Sequence, residues 1–182
     1  RIWWMLYAYG FENAAILNGG WQKWQAEGRA VSTDDCTYSP ATFMPSHQPG
    51  RIIDRDAVLA ALGDDHAVVV NALTKAQHEG TSKAHYGRPG GITGSVCLPA
   101  LDLVAGDNTF LTSSELEAKF AETGIGMDQR VLTYCGGGVA ATVDSFALTL
   151  LGHDDVGIYD ASLSEWANDD SLPMTAAGLV KG

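Results

Sequence analysis

Short apolar runs of strand length alternate with longer, helix-like runs between residues 51 and 170. In chain order the pattern predicts helix RDAVLAALGDD, strand AVVVNAL, short strand ITGSVCLPA, helix TSSELEAKFAETG, strand RVLTY, helix VAATVDSFALTLLG, strand VGIYD and helix SLSEWAND. Strands separated by helices indicate a parallel sheet that is covered on both faces. The sequence therefore predicts an α/β, three-layer domain with a central parallel sheet and helices on both faces.

A weak internal repeat lies at the two ends of the chain. YGFENAAILNGGWQKW, residues 9–24, aligns without a gap on LGHDDVGIYDASLSEW, residues 151–166. The identical pairs are Gly10 and Gly152, Ile16 and Ile158, and Trp24 and Trp166. Each copy reads as a helix closed by glycine, a short strand, and a turn into a helix that carries a tryptophan.

The repeat indicates how the chain is divided. We expect residues 1–30 to be the αβα end of a first, sister domain of which most is missing, and residues 31–50 to be a linker. Residues 51–182 then form a complete second domain. Without most of its sister, such a chain is expected to expose apolar surface around Trp3 and Trp4.

Composition excludes several kinds of partner. The formal net charge of −11 and pI near 4.6 disfavour nucleic acid and anionic membranes, because both require basic surface. No apolar run of membrane-spanning length occurs. Cys36, Cys97 and Cys135 are too few and too scattered for a disulfide framework or a zinc site. We expect a cytoplasmic protein with free thiols and with neither a metal nor another cofactor.

The stretch VLTYCGGGVAATVDS places a thiol where a strand ends and a helix begins. A thiolate at a helix N-terminus is stabilised by backbone N–H groups, and glycines let such a loop close tightly. Cys135 with Gly136, Gly137, Gly138, Val139 and Ala140 therefore reads as a cradle for an anion held by sulfur. The alternative without chemistry is a buried cysteine in a tight glycine turn.

Two other chemistries fit this loop poorly. Phosphatases that use a cysteine need an arginine six positions after it, and Ala141 stands there. A nucleotide P-loop needs Lys-Ser or Lys-Thr after its last glycine, where this chain has Val139 and Ala140.

Three stretches give the chain a resemblance to a known family. RVLTYCGGGVAA followed by LGHDDVGIYDASLSEW resembles the catalytic domain of the rhodanese-type sulfurtransferases, the two-domain thiosulfate and 3-mercaptopyruvate sulfurtransferases. The end of their non-catalytic first domain is resembled by ILNGGWQKWQAEGRAVS. The glycine-rich stretch before their second buried strand is resembled by GRPGGITGSVCLPA. The resemblance covers nearly the whole chain and implies a rhodanese-like fold.

The resemblance also implies a reaction. The Cys135 thiolate takes a sulfane sulfur from a donor such as thiosulfate, and the resulting persulfide passes it to cyanide, a thiol or a thiol protein. The N–H groups of the loop, from Gly136 to Ala140, would hold the outer sulfur. A non-enzymatic domain that relays persulfide to a protein partner is the rival interpretation.

The chain departs from the family where anions are held. The family's strand usually reads Val-Asp-x-Arg, whereas here Val70 is followed by Asn71, Ala72 and Leu73. Loss of arginine favours thiosulfate over 3-mercaptopyruvate, which stays as the alternative donor. The loop after this strand contains Lys75 and Arg88, and we expect one of them, preferably Arg88, to anchor a sulfonate. Asp160 could orient the cysteine loop, but a cap on the SLSEW helix explains it without chemistry.

Overall fold

The computed structural model of the chain describes residues 1–126 and 128–177, so the last residues of the predicted second domain, 178–182, lie outside it. Its helices are α1 Ile2–Ala8, α2 Gly20–Ala26, α3 Arg55–Ala61, α4 Lys75–His78, α5 Ser113–Glu122, α6 Ala141–Leu150 and α7 Ser162–Trp166, with a 3₁₀ helix at Ala100–Leu103. Its strands are β1 Ile52–Ile53, β2 Ala67–Asn71, β3 Gly91–Ile92, β4 Val96–Cys97, β5 Arg130–Tyr134, β6 Val156–Tyr159 and β7 Met174–Thr175.

A five-stranded sheet in the order β1-β6-β5-β2-β4 forms the centre, and every neighbouring pair in it is parallel. All four residues of β6 and residues 131–134 of β5 are buried. Because successive side chains of a strand point to opposite faces, unbroken burial means that both faces of the sheet are covered. The predicted parallel α/β architecture is confirmed.

The ends of the elements follow local chemistry. Thr112 caps α5 by accepting a hydrogen bond from the N–H of Glu115, whose side chain reaches back to the N–H of Thr112. The predicted strand ITGSVCLPA divides in two, because β3 pairs with β7 in a separate antiparallel ribbon while β4 pairs with β2. The short elements β1, β7, α4 and the 3₁₀ helix carry too few residues for a sequence pattern to show them.

The strand predicted in the first copy of the repeat does not form. Residues 11–17 have no regular structure, and the side chains of Ile16 and Leu17 are about half exposed. A strand needs a hydrogen-bonded neighbour, and no strand of the described ranges lies beside this segment. Residues 1–30 therefore form a helix–coil–helix segment rather than an αβα unit. Residues 31–48, within the predicted linker, contain no helix or strand and are exposed.

Helix α1 packs onto the core of the main domain, which corrects the expectation of exposed surface around Trp4. The indole of Trp4 is 2% exposed, lies in the same buried cluster as Val58 and Leu132, and donates to the carbonyl oxygen of Arg51 at 2.9 Å. Trp3 packs edge-on against Phe146 of α6, with ring centroids 4.6 Å apart. Helix α1 thus shares one core with the sheet. Across both described ranges, no helix is long and apolar enough to cross a membrane.

We predict that Trp4→Ala lowers the free energy of unfolding of the whole chain by about 3–5 kcal/mol, because a large buried side chain is lost. Trp21→Ala is the matched control, since Trp21 is 52% exposed and its loss should change stability by less than about 0.5 kcal/mol. Urea unfolding followed by circular dichroism measures both. Equal effects of the two substitutions would show that α1 does not share the core.

Candidate active site

Cys135 lies directly after β5, at the C-terminal edge of the sheet between β2 and β6. Ligands of parallel α/β sheets bind at this edge. Helix α6 begins at Ala141, so the loop from Cys135 to Ala140 leads into a helix N-terminus, whose partial positive charge favours a thiolate. Cys135 is 2% exposed, which shields its sulfur from bulk solvent.

The hydroxyl of Ser162 ties this loop to the start of α7. It donates to the carbonyl oxygen of Tyr159 at 2.7 Å and accepts from the N–H groups of Cys135 at 3.0 Å and Gly138 at 3.2 Å. Ser162 is fully buried and has a left-handed backbone (φ 53°), which is costly for a residue other than glycine. Three hydrogen bonds from one buried hydroxyl offset that cost.

Further contacts hold the carbonyl oxygens of the loop. The N–H of Leu163 donates to Cys135, and both the N–H and the hydroxyl of Ser164 donate to Gly136, at 2.8 and 2.6 Å. The guanidinium of Arg1 donates to the carbonyl oxygen of Gly137 at 3.1 Å and pairs with Asp160.

The carbonyl oxygens are therefore occupied, but most N–H groups of the loop are not. In residues 1–126 and 128–177, no protein acceptor takes the N–H groups of Gly136, Gly137, Val139 and Ala140. Gly138 is an exception to the predicted ring of donors, because its N–H is turned to Ser162. Four of the five predicted N–H groups are left for a ligand of the loop.

The three glycines differ in the space around them, and only Gly138 is required by its backbone conformation. A Cβ on Gly136 would lie 1.9 Å from Cζ of Tyr86, whose ring therefore rests directly on the loop. Gly138 has φ +70°, and a Cβ there would lie 2.5 Å from the carbonyl oxygen of Asp160. At Gly137, by contrast, the nearest atom to a Cβ would be the Ser164 hydroxyl at 3.7 Å, an ordinary contact.

A cavity of about 530 Å³ opens over Cys135 and is mostly apolar. The residues that line it are Ala72, Leu73, Thr74, Gln77, Tyr86, Ala100, Leu101, Val104, Cys135, Gly136, Gly137, Val139, Ala140 and Val143. Volumes of about 300–1,000 Å³ are typical of small-ligand sites.

The two cations predicted to anchor an anion do not line this cavity. Arg88 donates to the backbone carbonyl oxygens of Trp166, Ala167, Asp169 and Leu172, which join it to the chain after α7. Lys75 is exposed, lies 3.8 Å from the carboxylate of Glu79, and lines a separate cavity. The structure therefore does not place either residue as the predicted anchor, because Arg88 binds backbone carbonyl oxygens and Lys75 lines another cavity.

Asp160 also differs from its prediction. Helix α7 has no side-chain cap, and the carboxylate of Asp160 pairs with Arg1 at 2.7 Å instead. Sequence reasoning missed Ser162, Ser164 and Tyr86 as parts of the site. The position of Ser162 and Ser164 within the segment YDASLSEW could have pointed to these two serines. The sequence around Tyr86 has no regular pattern and gives no such signal.

The other two thiols differ from Cys135 in their surroundings. Burial raises the pKa of Cys97 to about 11, so this thiol is protonated and unreactive at neutral pH. Cys97 lines the same separate cavity as Lys75, and Cys36 is exposed in the extended segment. No group of three or more metal-ligating side chains lies together in the part of the chain that the structure describes.

Asp144, in the first turns of α6, is a fully buried carboxyl group. Neither of its oxygens has a hydrogen-bond partner among the described residues. Burial raises its pKa well above the ordinary value of 3.8, and the nearby Cys135 and Asp102 add to the shift. Burial next to the thiol therefore favours the neutral form of this carboxyl.

Comparison with known proteins identifies the family. The family model for the rhodanese-like domain matches residues 54–169. The chain belongs to the rhodanese-like domain family, as the resemblance in its sequence predicted.

Named relatives are similar over nearly all of this chain. The mitochondrial thiosulfate/3-mercaptopyruvate sulfurtransferase 1 of Arabidopsis thaliana is 32% identical, over 96% of this chain and 52% of the relative. The 3-mercaptopyruvate sulfurtransferase of Escherichia coli K12 is 30% identical, over 96% of this chain and 62% of the relative. The chain thus spans about half the length of the curated relatives it matches.

A solved structure has the same fold. An EanB variant with ergothioneine covalently linked to a persulfide cysteine superposes with a TM-score of 0.86 at 26% identity. The match covers 96% of this chain and 44% of that one.

We predict that Ser162→Ala lowers the free energy of unfolding by about 1–3 kcal/mol, because two buried N–H groups lose their acceptor. Ser171→Ala is the control, since Ser171 is exposed and its hydroxyl bonds only to Asp169. Thermal unfolding of both variants measures the difference. If Ser162→Ala were as stable as the control, the hydroxyl would not hold the loop.

We predict that, because of Asp144, the free energy of unfolding falls as the pH rises above the ordinary pKa of a carboxyl group. Because its pKa is raised on folding, the unfolded chain releases a proton that the folded chain retains. The loss is about 1.4 kcal/mol for each pH unit over which only the unfolded chain is ionised. Urea unfolding across pH should show that Asp144→Asn removes this slope and that Asp154→Asn, at an exposed site, retains it. Parallel slopes for wild type and Asp144→Asn would contradict the assignment.

Proposed function

We propose that the chain carries the catalytic unit of a sulfurtransferase that works through a persulfide on Cys135. The observation that carries the proposal is the placement of Cys135, which lies at the base of a cavity, at a helix N-terminus, in a loop with four free N–H groups. Relatives named as thiosulfate and 3-mercaptopyruvate sulfurtransferases support the same reaction class.

The reaction has two halves. The Cys135 thiolate attacks the outer sulfur of thiosulfate, the S–S bond of thiosulfate breaks, and sulfite leaves with the electron pair. Cyanide or a thiolate then attacks the outer sulfur of the persulfide, and Cys135 leaves as the thiolate. The N–H groups of Gly136, Gly137, Val139 and Ala140 would hold the outer sulfur while it carries charge.

The donor named by the relatives is either thiosulfate or 3-mercaptopyruvate, and both fit this reaction equally. With 3-mercaptopyruvate the C–S bond breaks, and its electron pair leaves with the enolate of pyruvate, which takes up a proton to become pyruvate. The sister domain that precedes the catalytic domain in two-domain relatives is a further proposed partner, and a cytoplasmic thiol protein is a proposed acceptor.

We predict that incubation with thiosulfate adds one sulfur atom to the chain, as seen by intact-mass spectrometry. Cyanide should reverse the gain and release thiocyanate, because the outer sulfur of a persulfide is electrophilic. Cys135→Ser should gain nothing, whereas Cys36→Ser, which removes an exposed thiol, should behave as wild type.

A sulfur gain that persists in Cys135→Ser would place the chemistry on another thiol and overturn the assignment. Loading of Cys135 without turnover to cyanide or thiols would favour the persulfide-relay interpretation. The same measurement with 3-mercaptopyruvate, on this chain and on a longer chain with a complete sister domain, separates the donors and the contribution of that domain.

A further inference from the structure

The cavity over Cys135 has no charged side chain in its lining, as far as residues 1–126 and 128–177 define it. Its polar members are Thr74, Gln77, Tyr86 and the loop itself, and the other walls are aliphatic. Thr74 and Gln77 are also engaged in the capping box of α4. The Thr74 hydroxyl accepts from the backbone N–H of Gln77, and the Gln77 side chain accepts from the backbone N–H of Thr74. The cavity therefore offers a mostly apolar enclosure whose few polar groups are uncharged.

Leu73 lines the cavity at a position from which an arginine could bind an anion. It lies two residues after the end of β2 and is 9% exposed. Leu101 also lines the cavity and is 77% exposed. Both positions could hold a cation beside Cys135, and both hold leucine.

Cations near the loop are engaged elsewhere. Arg1 contacts the loop, but its guanidinium pairs with both oxygens of Asp160 at 2.7 and 2.9 Å. Arg88 is bound to backbone carbonyl oxygens, and Lys75 lies beside Glu79. A dianion in the cavity would leave water and meet uncharged hydrogen-bond donors but no counter-charge, which is unfavourable.

The walls suit an apolar body instead. The ring of Tyr86 rests on Gly136, so an aromatic side chain lines the cavity next to the cysteine loop. With Leu73, Leu101 and Val143 it encloses a volume of about 530 Å³, far more than thiosulfate needs and within the range of organic ligands. Apolar surface buried there gains binding free energy in proportion to its area.

We propose that the cavity takes sulfur from a small donor whose body is apolar and uncharged, an aryl or alkyl persulfide or thiosulfonate, in preference to inorganic thiosulfate. The inference rests on the proposed function, since it assumes sulfur transfer to Cys135. The Cys135 thiolate attacks the outer sulfur of the donor, the bond between that sulfur and the donor breaks, and the donor's body leaves with the electron pair. A persulfide donor leaves as a thiolate, and a thiosulfonate leaves as a sulfinate.

The test compares thiosulfate with benzenethiosulfonate, in which a phenyl ring replaces one charged oxygen. Rate constants for sulfur loading of Cys135 are measured by intact mass for wild type, Leu73→Arg, Leu101→Arg and Leu59→Arg. Each variant's ratio of the two rate constants is divided by that of wild type, so that the intrinsic reactivity of the donors cancels. Leu101→Arg guards against misfolding of Leu73→Arg, because Leu101 is exposed, and Leu59→Arg adds the same charge on α3, away from the cavity.

We expect Leu73→Arg and Leu101→Arg to shift the ratio toward thiosulfate by about tenfold or more, as one charge-assisted contact provides. Leu59→Arg should leave the ratio within about twofold of wild type. If both donors load Cys135 and all four proteins give the same ratio, the inference is overturned and the proposed function stands. If neither donor loads Cys135 in the wild type or in a longer chain with the sister domain, both are overturned.

Discussion

The hydroxyl of Ser162 joins two segments that the parallel sheet brings only into proximity. The sheet places the ends of β5 and β6 side by side, but a chain of three glycines has no preferred shape of its own. By bonding to Cys135 and Gly138 at once, Ser162 fixes both ends of the turn in the cysteine loop. The free N–H groups between them, and the direction of the carbonyl oxygens, follow from that fixation.

Much of the architecture could be predicted from local pattern. The strands β2, β5 and β6 are continuous apolar runs, and Thr112 with Glu115 marks the start of α5, so their positions follow from sequence. Cys135 could be placed because the strand, the glycines and the helix are consecutive. The strand predicted in the first copy of the repeat does not form, and the reason is non-local, since a strand forms only beside a partner strand.

The errors at the site have a common physical origin. Arg88 was a reasonable anion anchor by type, but its partners are backbone carbonyl oxygens, which leave no trace in a sequence. The left-handed backbone of Ser162 is likewise unmarked, because sequence signals for such a conformation come from glycine or asparagine. Tyr86 reaches the loop from a long irregular stretch, so only tertiary structure shows the contact.

The three glycines leave unequal room for a side chain, and this affects which substitutions the site can accept during evolution. Positions 136 and 138 are closed by Tyr86 and by the left-handed turn, whereas position 137 borders the cavity and has room for a side chain. A Cβ there would meet only the Ser164 hydroxyl, at 3.7 Å, and would not displace the loop. Gly137 is therefore the one member of the glycine triplet through which single substitutions can alter donor preference during evolution while the nucleophile stays in place.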